Sequence, residues 1–330
     1  MSKPISLQSV QAAAERLRGV AVLTPLLTSA ELDRRLGARI FLKPESLQHI
    51  GAFKFRGAYN RLVQCDEAER ARGVVAFSSG NHAQGIAYAA QLLGMQATIV
   101  MPIDAPAIKR EGTEALGARV RLYDRLTESR EQIAADIASA TGAILVPAFD
   151  DVDVMAGQGT CGLELVEQLG SQHLKPELLL SPVGGGGLMA GVSTAVKGLA
   201  PQCRVIGVEP EHYDDHVQSR AAGERVKINP ASTTACDSLM ATQPGELTWA
   251  VNGELVDDFY SVSESEVARA ISFAFRYLKL VVEPGGAVGL AALLSGRVLP
   301  AADSIVGVIL SGGNIDPATH AACLAQFPQP

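Results

Sequence analysis

The 330-residue sequence has no cluster of basic residues and carries a formal net charge of −7. A nucleic-acid binder presents a basic face, so that class is excluded. There is no apolar run of about 18 or more residues, and the start, Met1-Ser2-Lys3-Pro4, lacks the apolar stretch of a secretory leader. Neither a membrane span nor a signal peptide is expected. The cysteines Cys65, Cys161, Cys203, Cys236 and Cys323 are odd in number, scattered and nowhere spaced as CxxC. That argues against a disulfide framework and for reduced structural thiols in a cytoplasmic protein. Internal repeats and low-complexity linkers are also absent. What remains is a globular composition, 47% hydrophobic and 19% charged. Its length suggests two domains rather than one core.

Apolar periodicity predicts an alternation of strands and helices. Strands are expected over 39–42, 73–77, 96–101, 118–123, 143–146, 178–183, 204–208 and 304–310. Helices are expected over 6–17, 82–93, 105–116, 129–140, 156–169, 188–199, 263–278 and 287–294. A further helix carries Ala58, Tyr59, Leu62 and Val63. Ser129 with Gln132 and Ser263 with Glu266 are spaced as capping boxes. Such alternation indicates open parallel α/β sheets, whose ligands bind beyond the carboxyl ends of the strands.

The chemically suggestive stretches fall at those ends. Lys54 lies between Phe53 and Phe55, ahead of a helical pattern. A lysine amine held in an apolar pocket is a nucleophile able to form a Schiff base; the alternative is a surface lysine at a helix start. Ser78-Ser79-Gly80-Asn81-His82 follows a strand and opens a helix, so its unpaired N–H groups suit an anion such as a substrate carboxylate. A plain N-cap is the competing reading. Gly184 to Gly187, followed by Leu188, joins a strand to a helix and reads as a phosphate cradle, although neither a P-loop nor a GxGxxG fingerprint is present. Ser311-Gly312-Gly313-Asn314 closes the last strand as a turn or as part of the same crevice. Glu209 to Asp215 offers several oxygen ligands for a hard cation such as Mg²⁺ or Ca²⁺, or is a solvated acidic loop.

Together these motifs resemble the fold-type II pyridoxal-phosphate enzymes, in particular the serine/threonine dehydratases and serine racemases. The resemblance rests on Ala52 to Ala58, Ser78 to Gly85, Gly157-Gln158-Gly159-Thr160, Gly184 to Leu188 and Ser311 to Asn314, and it runs over nearly the whole chain. It implies two open twisted α/β domains of the tryptophan synthase β type. A small domain (53–146) would be inserted in a large one (1–52 and 147–330), with cofactor and amino-acid substrate in the cleft between them. It also implies roles. Lys54 holds pyridoxal 5′-phosphate as a Schiff base and moves the α-proton. Phe53 packs on the ring, Asn81 meets the phenolic oxygen, Gly184 to Leu188 bind the phosphate, and Ser311 faces the pyridine nitrogen. Ser78 to His82 bind the substrate. A divalent cation at Glu209, the Tyr213 carbonyl and Asp215, and a homodimer, are expected on the same ground.

A serine opposite the pyridine nitrogen does not keep it protonated. The ring is then a weaker electron sink, which suits elimination of water from a β-hydroxy amino acid such as L-threonine or L-serine. Ser79 stands where threonine dehydratases commonly carry alanine. Serine racemases and 3-hydroxyaspartate dehydratases carry serine there, and in a racemase it acts as the second acid/base. Pro147 to Asp151 looks more like the bacterial dehydratases. A β-replacement enzyme is disfavoured because Lys54 is followed by Phe-Arg-Gly-Ala, and a non-catalytic binding protein because the lysine is present. The stretch after Ser311 is too short for a C-terminal regulatory domain, so feedback by isoleucine is not expected.

Overall fold

The computed structural model describes residues 4–105 and 107–330. Met1-Ser2-Lys3, on which part of the leader argument rests, and Pro106, within the helix expected over 105–116, lie outside the described residues. Strands are β1 (Arg39–Pro44), β2 (Val74–Phe77), β3 (Ala97–Pro102), β4 (Arg119–Tyr123), β5 (Ile144–Leu145), β6 (Leu178–Pro182), β7 (Arg204–Pro210), β8 (Asp258–Val262) and β9 (Ile305–Leu310). They form a four-stranded sheet, β4-β3-β2-β5, and a five-stranded sheet, β1-β9-β6-β7-β8, with every neighbouring pair parallel. Strands covered on both faces read as continuous apolar runs. Leu178-Leu179-Leu180 and Ile305 to Leu310 are such runs, paired at Leu180 and Val308 and wholly buried. The helix Pro284–Leu294 is apolar on all sides and is buried from Pro284 through Leu293, as a core helix must be.

Several elements escaped the periodicity. Helix Glu67–Arg72 is too short for a periodic stripe, but it opens with an Asp66/Glu69 capping box. Helices Ala30–Leu36, Asp215–Ala222, Glu246–Leu255 and Pro317–Gln326, and strand β8, were likewise unexpected. The helix expected over 263–278 begins with the anticipated Ser263/Glu266 box. It turns at Ala274–Leu278 into a π-helical stretch that ends with Lys279 left-handed at φ 59°. Ser129 caps its helix by accepting from the Gln132 N–H. Gln132 returns no bond; its side chain reaches Asp136 instead, at 2.8 Å.

The long helix Val152–Gly170 positions both halves of the cleft. Its segment Gly157-Gln158-Gly159-Thr160 is a packing node. A methyl on Gly157 would lie 2.7 Å from the Cα of Gly57, in the first turn of the lysine helix. One on Gly191 would lie 2.2 Å from the Met155 carbonyl oxygen and 2.4 Å from the Gly159 nitrogen. Only glycine permits backbones this close. The helices Lys54–Val63 and Gly187–Leu199 are thus seated on one common rod.

A buried ionic cluster completes the seating. Arg56, fully buried, meets Glu45 through Nε at 2.7 Å and Glu164 through Nη1 at 2.6 Å. Its Nη2 reaches both carboxylates again, at 2.8 and 2.9 Å. Lys43 adds a bond to Glu164 at 2.7 Å. The two cations and two carboxylates balance, and the bidentate geometry is the strong form of the pair.

Candidate active site

Helix Lys54–Val63 starts at Phe53, which has no side-chain cap; the Phe53 N–H instead donates to the Ser311 carbonyl at 3.1 Å. A short antiparallel bridge joins Ala52 to Gly312. The lysine motif and the Ser311 turn are thereby stitched side by side. The Lys54 amine donates to the Ala148 carbonyl at 2.7 Å and lies 5.1 Å from the centre of the Phe53 ring. Desolvation lowers its pKa to about 8, against the opposing pull of the Glu283 carboxylate. A neutral, nucleophilic amine is therefore accessible near neutral pH.

Ala148 also links the lysine to the glycine loop, since the ring of the next residue, Phe149, would lie 2.3 Å from a methyl on Gly185. Gly186, at φ 97°, is the N-cap of helix Gly187–Leu199. The loop carbonyls are tied outward: Thr248 Oγ1 donates to Gly185 at 2.7 Å and Asn252 Nδ2 to Gly186 at 3.1 Å. Asp150 caps the helix that carries both, accepting from the N–H groups of Glu246, Leu247 and Thr248. With the carbonyls so held, the orphan N–H groups of the loop and first turn, through Leu188, suit an anion.

On the four-stranded side, helix Asn81–Leu92 is capped by Gly80 without any side-chain bond. The plain N-cap reading of Ser78 and Ser79 therefore does not describe this turn. Ser78 Oγ accepts from the Gly80 N–H at 3.2 Å, and Ser79 is half-buried. His82 is buried with Nε2 3.2 Å from the Val146 carbonyl; burial and the Lys54 charge push its pKa down to about 3, so it is neutral. Asn81 donates through Nδ2 to Glu283 at 2.7 Å and accepts from Asn314 Nδ2 at 2.8 Å. Ser311 is buried, directly after β9.

Glu209, at the end of β7, and Asp215 come together, joined by His216, which the sequence reading did not include. Glu209 accepts from the N–H groups of His216 and Val217 at 3.1 and 3.0 Å. Burial raises the Glu209 pKa, and burial with the Glu209 charge raises that of Asp215 to about 8. Both Asp215 oxygens and His216 Nε2 are buried without a partner among the described residues. Tyr213 is buried in the intervening turn, its N–H donating to Pro210 at 3.2 Å. The His216 ring lies 6.0 Å from Trp249, on the helix that holds the glycine loop. Two buried carboxyls lacking a counter-charge suit a hard cation.

Glu283, Asn314, Phe149, Asp150, Thr248, Asn252 and His216 were not singled out beforehand as site residues. Glu283-Pro284-Gly285-Gly286 ahead of an apolar run does carry a helix-start signal. Most of the others act through contacts distant in sequence, whereas His216 is a near neighbour of Glu209 and Asp215.

The two parallel sheets, the desolvated lysine and the glycine loop define a cofactor-dependent α/β enzyme with its site at strand ends. Residues 18–312 match the family described as pyridoxal-phosphate dependent enzyme, and the chain belongs to it, with fold type II. It is 46% identical over 319 residues to the L-threo-3-hydroxyaspartate ammonia-lyase of Pseudomonas sp, covering 97% of this chain and 98% of that one. The T.th. threonine deaminase superposes with a TM-score of 0.88 at 44% identity, covering 94% and 99% of the two chains. Maize serine racemase does so with a TM-score of 0.91 at 37% identity, covering 99% and 98%.

Proposed function

We propose that this enzyme is an ammonia-lyase that eliminates water from a β-hydroxy amino acid, of the class L-threonine, L-serine or 3-hydroxyaspartate. The carrying observation is the desolvated Lys54 amine, brought to Ala148 beside the Gly184 to Gly187 loop. When bound, pyridoxal phosphate supplies an aldehyde for amines and a ring that delocalises the electron pair left when the Cα–H bond breaks. Gly184 to Gly187 and the Leu188 N–H would hold its phosphate, Phe53 would cover the ring, Asn81 would meet the phenolic oxygen and Ser311 the ring nitrogen. Ser78 to His82 would hold the substrate carboxylate through the uncapped helix start. Lys54 would take the α-proton as the β-hydroxyl departs. The water lost is regained on hydrolysis of the enamine, so the products are a 2-oxo acid and ammonia. The small, four-stranded unit closing on the five-stranded one would exclude bulk water during these steps.

A divalent cation at Glu209 and Asp215, with the Tyr213 carbonyl, would have a structural role. Its neighbour His216 packs on Trp249, whose helix ties back the phosphate-loop carbonyls.

The half-buried Ser79 hydroxyl favours a second reading, serine racemisation, which needs an acid/base on each face of the carbanion. The test is a panel of L-threonine, L- and D-serine and 3-hydroxyaspartate, with 2-oxo acid, ammonia and chirality measured for wild type, Lys54→Ala and Ser79→Ala. Lys54→Ala should cut turnover by at least about 10³-fold. Ser79→Ala should keep L-elimination and lose any racemisation or D-serine elimination. Full activity of the lysine variant defeats the elimination reading. Loss of L-elimination in the serine variant as complete as in the lysine variant defeats the two-base reading.

A further inference from the structure

A side-chain amide is nearly symmetrical in shape, so its hydrogen-bond partners decide which end is oxygen. Around Asn81 those partners form a relay. Asn314 Nδ2 donates at 2.8 Å to the Ile50 carbonyl and at 2.8 Å to Asn81 Oδ1. Asn81 Nδ2 then donates at 2.7 Å to Glu283 Oε1. Both termini are acceptors only: a backbone carbonyl at one end and an ionised carboxylate at the other. The relay therefore has one polarity. Asn81 is left with one further N–H, which has no partner among the described residues.

We propose that Glu283 is a positioning residue for the cofactor, its carboxylate holding the Asn81 amide with nitrogen turned toward the phenolic oxygen of the ring. This rests on the assignment of Asn81 to that oxygen. The Ile50 carbonyl keeps the relay's polarity at any pH, and the ionised Glu283 supplies the charge-assisted bond that fixes the Asn81 nitrogen in place. A protonated carboxyl accepts that bond more weakly than a carboxylate and offers a proton of its own in its place, so the Asn81 nitrogen is then held less firmly.

The surroundings place that change near neutrality. Glu283 is buried at the start of helix Pro284–Leu294, and its N–H donates to the Gly312 carbonyl at 3.0 Å. Burial and the Asp237 charge raise its pKa to about 7, opposed by the bonds from Asn81 and the Asn314 N–H and by Lys109. Lys54 faces it across the site. Asp237 belongs to the short turn Asp237–Leu239, and Ser238 of that turn packs on Gly285. Lys109, from helix Ala107–Ala115, pairs with Asp237.

The test uses pyridoxine 5′-phosphate, which carries the ring, phenolic oxygen and phosphate but no aldehyde, so the chemistry of Lys54 does not enter. Its dissociation constant is measured on the full-length chain freed of cofactor, at about pH 6 and about pH 8.5. At the higher pH Glu283→Gln should bind about tenfold more weakly than wild type, the size expected for losing one oriented, charge-assisted bond. The ratio should shrink toward one at the lower pH, where the wild-type carboxyl is protonated too. Titrations of the ligand itself cancel in this ratio. In an Asn81→Ala background, Glu283→Gln should change nothing further. The inference is overturned if Glu283→Gln binds as tightly as wild type at the higher pH, or loses equally at both pH values or in both backgrounds. Asn81→Ala alone gives a second reading that does not need the glutamine variant to fold: its loss relative to wild type must also shrink toward the lower pH, and a loss independent of pH overturns the proposal. If Asn81→Ala binds normally at both, the Asn81 assignment falls and the role of Glu283 with it, while membership of the family stands.

Discussion

Two groups of buried charge are built on opposite terms. Around Arg56, two cations face two carboxylates, and Glu45 has its pKa lowered: burial alone would raise it, but the Arg56 charge and its hydrogen bonds outweigh that effect. Around Asp215 the carboxyls of Glu209 and Asp215 meet two backbone N–H groups and a neutral ring, but no opposite charge. Burial depresses the His216 pKa to about 4, while that of Asp215 rises to about 8. Burial is similar in both places, so burial does not decide the outcome; the count of opposite charges and donors does. The first cluster is complete as folded. The second holds two buried carboxyls with no opposite charge beside them among the described residues.

The comparison breaks most severely at Arg56. Arg56→Met would leave Glu45 buried with neither its charge partner nor its bidentate bonds, with only the Thr24 hydroxyl remaining at 2.7 Å. A loss of about 3–5 kcal/mol is expected, because an uncompensated buried charge is what remains. Urea unfolding monitored by circular dichroism measures it; a loss under about 1 kcal/mol would mean that the cluster contributes only what an exposed pair does.

This contrast also marks how far the sequence could be read. The alternating strands and helices, the helix-start position of Lys54, the strand-end positions of Ser78 to His82, Gly184 to Leu188 and Ser311, and the acidic pair Glu209 and Asp215 were all visible, because each is a local pattern of residue type and spacing. The Arg56 cluster was not. Arg56, Glu45, Lys43 and Glu164 lie on separate elements, and nothing in a single segment announces that they converge. Glu283 was missed, and Asn314 was quoted within the Ser311 motif without a role, for the same reason: their partner Asn81 is 202 residues away from one and 233 from the other. Gly157-Gln158-Gly159-Thr160 could be quoted as a motif, but its work, seating two helices at backbone contact, depends on Gly57 and Gly191. The short helix Glu67–Arg72 shows the reverse case, a local signal at Asp66 and Glu69 that was present and overlooked.

A smaller effect is expected where the second cluster is completed. Mg²⁺ or Ca²⁺ at about 100 times its dissociation constant should raise unfolding free energy by about 2.7 kcal/mol. A chelator should reverse this, and Asp215→Asn should abolish it. The pH dependence follows from the sign of the shift. The folded pKa of Asp215 lies above its unfolded value, so without cation its contribution is fully present below the unfolded value and is lost as pH rises through about 8. His216 is shifted the other way and acts only below about 6.5, its ordinary value. Between about 6.5 and about 8, therefore, cation binding must displace a proton from Asp215. Burial raises the Glu209 pKa as well, so its proton is displaced too, and the apparent affinity should climb with pH over that window by up to about tenfold per unit for each proton released. Isothermal titration at several pH values checks this. An affinity that does not change across the window would show that the carboxyls are already ionised, and the two clusters would then not differ as argued.

The smallest effect should come from a third charged pair, which joins helix Ala107–Ala115 to the turn Asp237–Leu239 without being buried. Lys109 and Asp237 are in contact, yet the lysine side chain is 22% exposed and the aspartate 50%. Water can solvate either charge when the other is removed, which neither Arg56 nor Asp215 is allowed. Loss of the partner then leaves a hydrated ion rather than a stranded one, and salt screens what attraction remains. Lys109→Met should accordingly change unfolding free energy by less than about 1 kcal/mol, with the difference fading as ionic strength rises. The measurement is the urea midpoint at low and high salt, beside that of Arg56→Met. If Lys109→Met proves as damaging as Arg56→Met, or its effect is indifferent to salt, then the elements a pair joins rather than its burial govern these charges.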